Sequence, residues 1–155
     1  MWAEMDWAPH AHKRVIQRAR LRDRQASPTM FSQEAPGKWE QVVADRIGEL
    51  VRLPLGWDGY NGRPLTRGSA YVAIQLLATV CTPATPRPSL VPLPCGGVQI
   101  EWHHGFIDLE ISVYSPGRIS VLFCDERDND DGQEIEISAD YSSIISFVRK
   151  LDEAG

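Results

Sequence analysis

The sequence predicts an α+β domain: helices, then a four-stranded antiparallel meander, then a C-terminal helix. Three observations predict it. Apolar residues recur at helical spacing before residue 82. From Gly96 they alternate with polar residues at a period of two. After Asp140 the helical spacing returns. At 155 residues, with 43% hydrophobic and 24% charged residues, the chain suits one domain plus an arm. Those values exclude collagen and wholesale disorder.

Residues 1–37 read as a basic helical arm and 38–155 as a single α+β domain. Within the arm, residues 10–26 have the spacing of a poorly amphipathic helix. Arg14, Arg18 and Arg22 form an i, i+4 stripe, and Val15, Ile16, Ala19 and Leu21 give only a thin apolar side. Ser27-Pro28 and Ala35-Pro36-Gly37 break it. Residues 38–53 form a better helix, with Trp39, Val43, Ile47 and Leu50 on one stripe, Val42 and Val51 widening it, and Pro54 ending it. A turn-rich loop follows, from Leu55 to Pro64. Thr66 is the expected N-cap of a third helix through about Cys81. Its apolar residues Tyr71, Val72, Ile74, Leu76, Leu77 and Val80 cover most of the circumference, which predicts burial on more than one side. Residues 82–94 hold five of the eleven prolines and read as a stiff, extended connector.

The strands carry the most information. Val98, Ile100 and Trp102 alternate with Gln99, Glu101 and His103; Ile107, Leu109, Ile111 and Val113 alternate with Asp108, Glu110 and Ser112. Ile119, Val121 and Phe123 follow, then Ile135 and Ile137. A two-residue turn at His104-Gly105 pairs Trp102 with Ile107, Ile100 with Leu109 and Val98 with Ile111. A three-residue turn at Ser115-Pro116-Gly117, with Gly117 left-handed, pairs Val113 with Ile119, Ile111 with Val121 and Leu109 with Phe123. Lengthening or shortening either turn by one residue sets apolar side chains opposite polar ones. Ser138 or Asp140 is placed to cap the last helix, whose apolar face is Tyr141, Ile144, Ile145 and Val148. One face of the sheet packs on helices; the other is polar and wet.

Charge is distributed unevenly. The net −5 divides into +3 for residues 1–39, +1 for 40–100 and −9 for 101–155. The acidic half repels nucleic acid, so contact with phosphate rests on Arg14, Arg18 and Arg22 of the arm. Cys81, Cys95 and Cys124 include no CxxC pair and read as small buried hydrophobes in a reducing compartment. The start of the chain lacks the pattern of a secretory signal, and no stretch approaches the ~18 apolar residues of a membrane span. The expected location is the cytoplasm.

Three clusters are candidates for function. On the polar sheet face Glu101 and Asp108 are expected opposite each other, Gln99 opposite Glu110, with His103 next in the row; carboxylates beside a histidine suit a divalent ion or acid–base chemistry. The loop holding Asp125, Glu126, Asp128, Asp130 and Asp131 superficially resembles a calcium loop. Aligned on Gly132, however, it puts Arg127 and Ser138 where acidic ligands belong. The remaining readings are a hydrated turn, an irregular cation site and, between them, an acidic surface that meets a basic protein. Trp57 and Tyr60 sit in a glycine-rich loop, either as partner anchors or as a plug for the core, with Asp58 capping backbone amides. HExxH, GxSxG, GxxxxGK[ST] and GxGxxG are all absent. No catalytic residue and no cofactor is assigned.

Gly56-Trp57-Asp58-Gly59-Tyr60 between two helices, followed by a proline-rich connector, Gly96-Gly97-Val98-Gln99-Ile100-Glu101-Trp102 and Leu109-Glu110-Ile111, resembles a group of small bacterial and phage proteins. That group has a GWDGYGA-type loop and a later G-G-[VI]-x-[LI]-E-W strand. The resemblance spans roughly residues 40–124; Asn61-Gly62 stands where Gly-Ala is expected. It implies a bacterial or mobile-element origin and an α+β fold, and lends no catalytic residues. Accessory proteins of that origin include antitoxins, immunity proteins and inhibitors of host defence. The sequence therefore points to a non-enzymatic protein that binds a partner with a basic surface. The alternatives are a metal-dependent enzyme using Glu101, Asp108, Glu110 and His103, and an arm-mediated nucleic-acid binder.

Overall fold

Helix α1 (Glu40–Val51) buries Trp39, Val43, Ile47 and Leu50 along one stripe, as their spacing predicts. Val42 lies outside that stripe and is exposed. The computed structural model describes residues 39–128 and 132–154. The arm helix expected over 10–26, with Arg14, Arg18 and Arg22, and the acidic residues Asp130 and Asp131 lie outside the described residues.

Helix α2 (Arg67–Val80) starts where the Thr66 hydroxyl accepts a hydrogen bond from the Ser69 amide at 3.2 Å. The expectation that α2 is buried on several sides is corrected. Its inner face is Ser69, Ala70, Ala73, Leu76, Leu77 and Val80, while Tyr71 and Ile74 are 65% and 43% exposed. Two alanines and a serine stand in that inner row, and half-buried Val72 packs against the core from its margin.

The proline-rich connector also differs from expectation. It turns at Thr82–Thr85, where the Thr82 amide donates to the Thr85 hydroxyl at 2.8 Å and the Thr85 amide to the Thr82 carbonyl at 3.0 Å. Two buried indoles then hold consecutive carbonyls: Trp39 Nε1 donates to Thr85 O at 3.2 Å, and Trp102 Nε1 to Pro86 O at 2.7 Å. Held there, Ser89–Pro92 forms a fifth strand, β1. Its proline sits at the end of an edge strand, where the missing N–H costs no ladder bond.

The remaining strands are β2 (Val98–His104), β3 (Ile107–Ser115), β4 (Arg118–Asp125) and β5 (Gln133–Ile137). They form one antiparallel sheet in the order β1-β2-β3-β4-β5. The β3–β4 register is the expected one: Val113 faces Ile119, Ile111 faces Val121 and Leu109 faces Phe123. Its turn is shorter than expected. Ser115 pairs with Arg118, the offset is taken up by a bulge between Val113 and Ser115, and Gly117 is not among the glycines with positive φ.

The β2–β3 register differs by two. Trp102 faces Leu109, Ile100 faces Ile111 and Val98 faces Val113, so the turn is Gly105-Phe106 rather than His104-Gly105. Gly105, at φ +61°, takes the first corner, which demands a positive φ in two-residue hairpins. A shift of two keeps every apolar residue on its face, so hydrophobic matching alone does not detect it.

The inward side chains of β2, β3 and β4 join those of α1, α2 and helix α3 (Ser142–Glu153) in one core. The N-cap of α3 is Tyr141, which makes no side-chain cap bond, rather than Ser138 or Asp140; Asp140, one residue earlier, accepts from the Ser142 amide at 2.8 Å and hydroxyl at 2.9 Å. Ile144, Val148 and Leu151 are fully buried; Tyr141 and Ile145 flank them. Among the described residues no helix is long and apolar enough to cross a membrane.

Candidate interaction surface: the polar face of the sheet

Strand alternation that sends Val98, Ile100 and Trp102 inward sends Gln99, Glu101 and His103 to the opposite face. On β3 it sends Asp108, Glu110 and Ser112 there. The corrected register rearranges these partners. Glu101 faces Glu110, not Asp108; His103 faces Asp108; and Gln99 faces Ser112, not Glu110.

The Gln99 amide bridges the two glutamates. Its Nε2 donates to Glu101 Oε1 and to Glu110 Oε2, both at 2.9 Å. His103 Nδ1 lies 2.7 Å from Asp108 Oδ1, and its Nε2 lies 3.7 Å from Glu101 Oε2. Further along the same row, Glu110 faces Leu122, and Leu122 faces Glu134. Glu136 faces Ser120, and Arg118 reaches to 3.8 Å from it.

Partial burial pushes the Glu110 carboxyl up from its ordinary value, and the facing Glu101 charge adds to the rise. A carboxylate whose pKa is raised by folding stabilises the fold below the ordinary carboxylate range. That contribution is lost as pH rises through the raised value. Glu110→Gln is therefore expected to stabilise the protein at pH 7 by about 0.5 kcal/mol, the scale of a like-charge cross-strand pair. The gain should vanish near pH 4 in parallel urea titrations. Destabilisation at pH 7 would show that the Gln99 bridge outweighs the repulsion.

Among the described residues no group of three or more His, Cys, Asp or Glu side chains is arranged to hold a metal ion. Glu101, Asp108, Glu110 and His103 do come together, but as a histidine–aspartate pair beside an amide-bridged glutamate pair.

The acidic loop is corrected more strongly. Asp125 ends β4 and is 7% exposed. Its carboxylate accepts from Arg127 Nε at 2.9 Å, Arg127 Nη2 at 2.7 Å and the Arg127 amide at 3.1 Å. It is thus not part of an open acidic surface, whereas Glu126 and Asp128 are exposed. The forked hydrogen bonds from Arg127 hold the Asp125 carboxyl down at about 2. The sign is opposite to that of Glu110: this contribution is full above the ordinary aspartate range and is lost as pH falls toward 2. Arg127→Ala should move the midpoint of acid unfolding to higher pH; an unchanged midpoint in a circular-dichroism titration would refute the assignment.

The loop after α1 divides its aromatics. Trp57 is half-buried and its Nε1 donates to Arg63 O at 3.0 Å, closing the loop. Tyr60 is 86% exposed and Leu55 77%. Asp58 Oδ1 accepts from the Tyr60 amide at 3.0 Å and the Gly62 amide at 2.9 Å, which holds its carboxyl below the usual range. Trp57 thus closes the loop through its indole N–H while staying half-exposed, and Tyr60 is exposed.

The cysteines correct another expectation. Cys81 and Cys124 are half-buried but Cys95 is exposed. Burial pushes the Cys81 thiol up to about 12, so it stays protonated and unreactive. Comparisons with protein-family models, with curated proteins and with solved structures give no match to this chain.

Proposed function

We propose that this chain is a non-enzymatic accessory protein, of the antitoxin, immunity or anti-defence kind, that works by covering a basic surface of a partner protein. The observation that carries the reading is the open sheet face, where Glu101, Asp108, Glu110, Glu134 and Glu136 gather around half-buried Leu122. Gln99 and His103 hold its central carboxylates in fixed geometry. Ordered carboxylates around an apolar spot suit a partner that brings arginine or lysine around an apolar side chain, and charge complementarity steers the encounter. This moves the proposed contact from the 125–131 loop to the sheet, with exposed Glu126 and Asp128 at its margin. The resemblance of the GWDGY-type loop to small bacterial and phage proteins supports that origin.

The test is capture of a partner from bacterial host lysate, with nuclease, on wild-type chain and on a Glu101→Gln, Glu110→Gln, Glu134→Gln, Glu136→Gln variant. One stoichiometric protein retained by the wild type and lost by the variant supports the reading. Equal retention overturns it, as does recovery of nucleic acid that the nuclease abolishes.

A further inference from the structure

The chain carries a surface that complements its own sheet face. Arg52, Arg63 and Arg67 are exposed, and none is ion-paired among the described residues. They flank, in sequence, a loop whose tip presents Leu55 and Tyr60 to solvent. The one carboxylate in that stretch, Asp58, is turned onto the loop's own amides. The loop is held before any partner arrives. Gly56 and Gly59 take positive φ, the Gly56 amide donates to Gly62 O at 2.7 Å, and Trp57 donates to Arg63 O. Little conformational freedom is left to lose on contact.

The sheet face is the inverse of this arrangement. Across four strands the row runs Glu101, Glu110, Leu122, Glu134, so an apolar side chain is bracketed by carboxylates. Exposed Glu136 lies beside it with Arg118 of the same chain 3.8 Å away, an exposed pair that a partner's arginine must compete with, and Val91 of β1, 40% exposed, stands at the margin opposite Gln99. The loop itself is tied to the helix side: the Leu65 amide donates to Leu50 O of α1 at 3.1 Å, and the Arg63 amide to Pro94 O at 2.9 Å. Beyond the loop itself, its hydrogen bonds among the described residues run to α1 and to the segment before β2, and none runs to the polar face of its own sheet.

We infer that the sheet face of one chain receives the Leu55–Tyr60 loop of a second copy, with Arg52, Arg63 and Arg67 set against Glu101, Glu110, Glu134 and Glu136. This rests on the reading of the sheet face as a docking surface and names one occupant for it. Association of this kind hides the acidic face until a partner with a stronger basic surface displaces the second copy.

The experiment is sedimentation velocity of the full chain over a concentration series at low and high salt. Association that rises with concentration and weakens with salt is expected. Arg52→Glu, Arg63→Glu, Arg67→Glu together, and separately Glu134→Lys, Glu136→Lys, should each weaken it about tenfold or more, as charge reversal at a contact does. An equimolar mixture of the two variants should associate again, because original loop then meets original sheet and reversed loop meets reversed sheet. Tyr60→Ala, at a site too exposed to affect folding, should weaken association without changing the melting temperature. A single monomeric boundary at every concentration and salt overturns the inference, as does association that survives the loop variants or a mixture that stays monomeric. Failure here with partner capture still lost by the sheet variant leaves the proposed function standing. Intact self-association with equal partner capture removes the proposed function instead.

Discussion

Trp102→Ala is expected to destabilise the fold by about 4 kcal/mol, the range for truncating a buried large aromatic. The side chain, on β2, is 2% exposed, and its indole N–H holds the Pro86 carbonyl. Truncation opens a cavity between sheet and helices and frees the connector that leads into β1. Against a total of ~5–15 kcal/mol for a domain, that is a large share. Trp102→Phe separates the two contributions: most of the volume stays, the hydrogen bond goes, and a loss of about 1–2 kcal/mol should remain. Urea unfolding reads both. Equal losses for the two variants would assign the whole effect to the hydrogen bond; no loss for phenylalanine would assign it to packing.

Gly97→Ala is expected to cost about 3 kcal/mol, at the upper end for forcing extra volume into a packed site. A Cβ at Gly97 would run into the backbone carbonyl of Val113 and the Cα of Tyr114, and backbone cannot swing aside as a side chain can. Gly97 stands opposite Tyr114, one position beyond the Val98–Val113 pair of the β2–β3 register, where the two backbones run side by side. Gly96 has a separate requirement: its φ of +88° disfavours any side chain, and Pro64 O lies 3.2 Å from where a Cβ would stand. The paired glycines thus meet two different constraints. A urea midpoint for Gly97→Ala within error of the wild type would refute this account.

How far the sequence could be read follows from what each signal measures. Period-two alternation made β2, β3, β4 and β5 legible, because only one of their faces meets the core. The same signal is blind to shifts of two residues, and so it missed that Gly105 rather than His104 opens the hairpin. That shift re-paired the whole polar face: His103 gained Asp108, and Glu101 gained Glu110. The members of the surface cluster were legible and their partners were not. Strand β1 was hidden because only Leu90 of its four residues is buried, too few for a period. Tyr71 and Ile74 of α2 showed the limit of composition, since an apolar residue on a helix does not state whether anything covers it. Asp125 looked like a surface charge until Arg127, two residues on, was seen to cover its carboxylate.

Strand order in the sheet equals strand order in the chain. Each pairing therefore joins segments adjacent in sequence, and the β2–β3 and β3–β4 links are two-residue turns. Closing such short links costs little chain entropy. The sheet can grow outward from its central hairpins one strand at a time, with no distant segment to wait for, and local topology of this kind folds fast for its size. Hairpins that close early pair their strand edges early. The interval in which one newly made chain offers bare strand edges to another is correspondingly short.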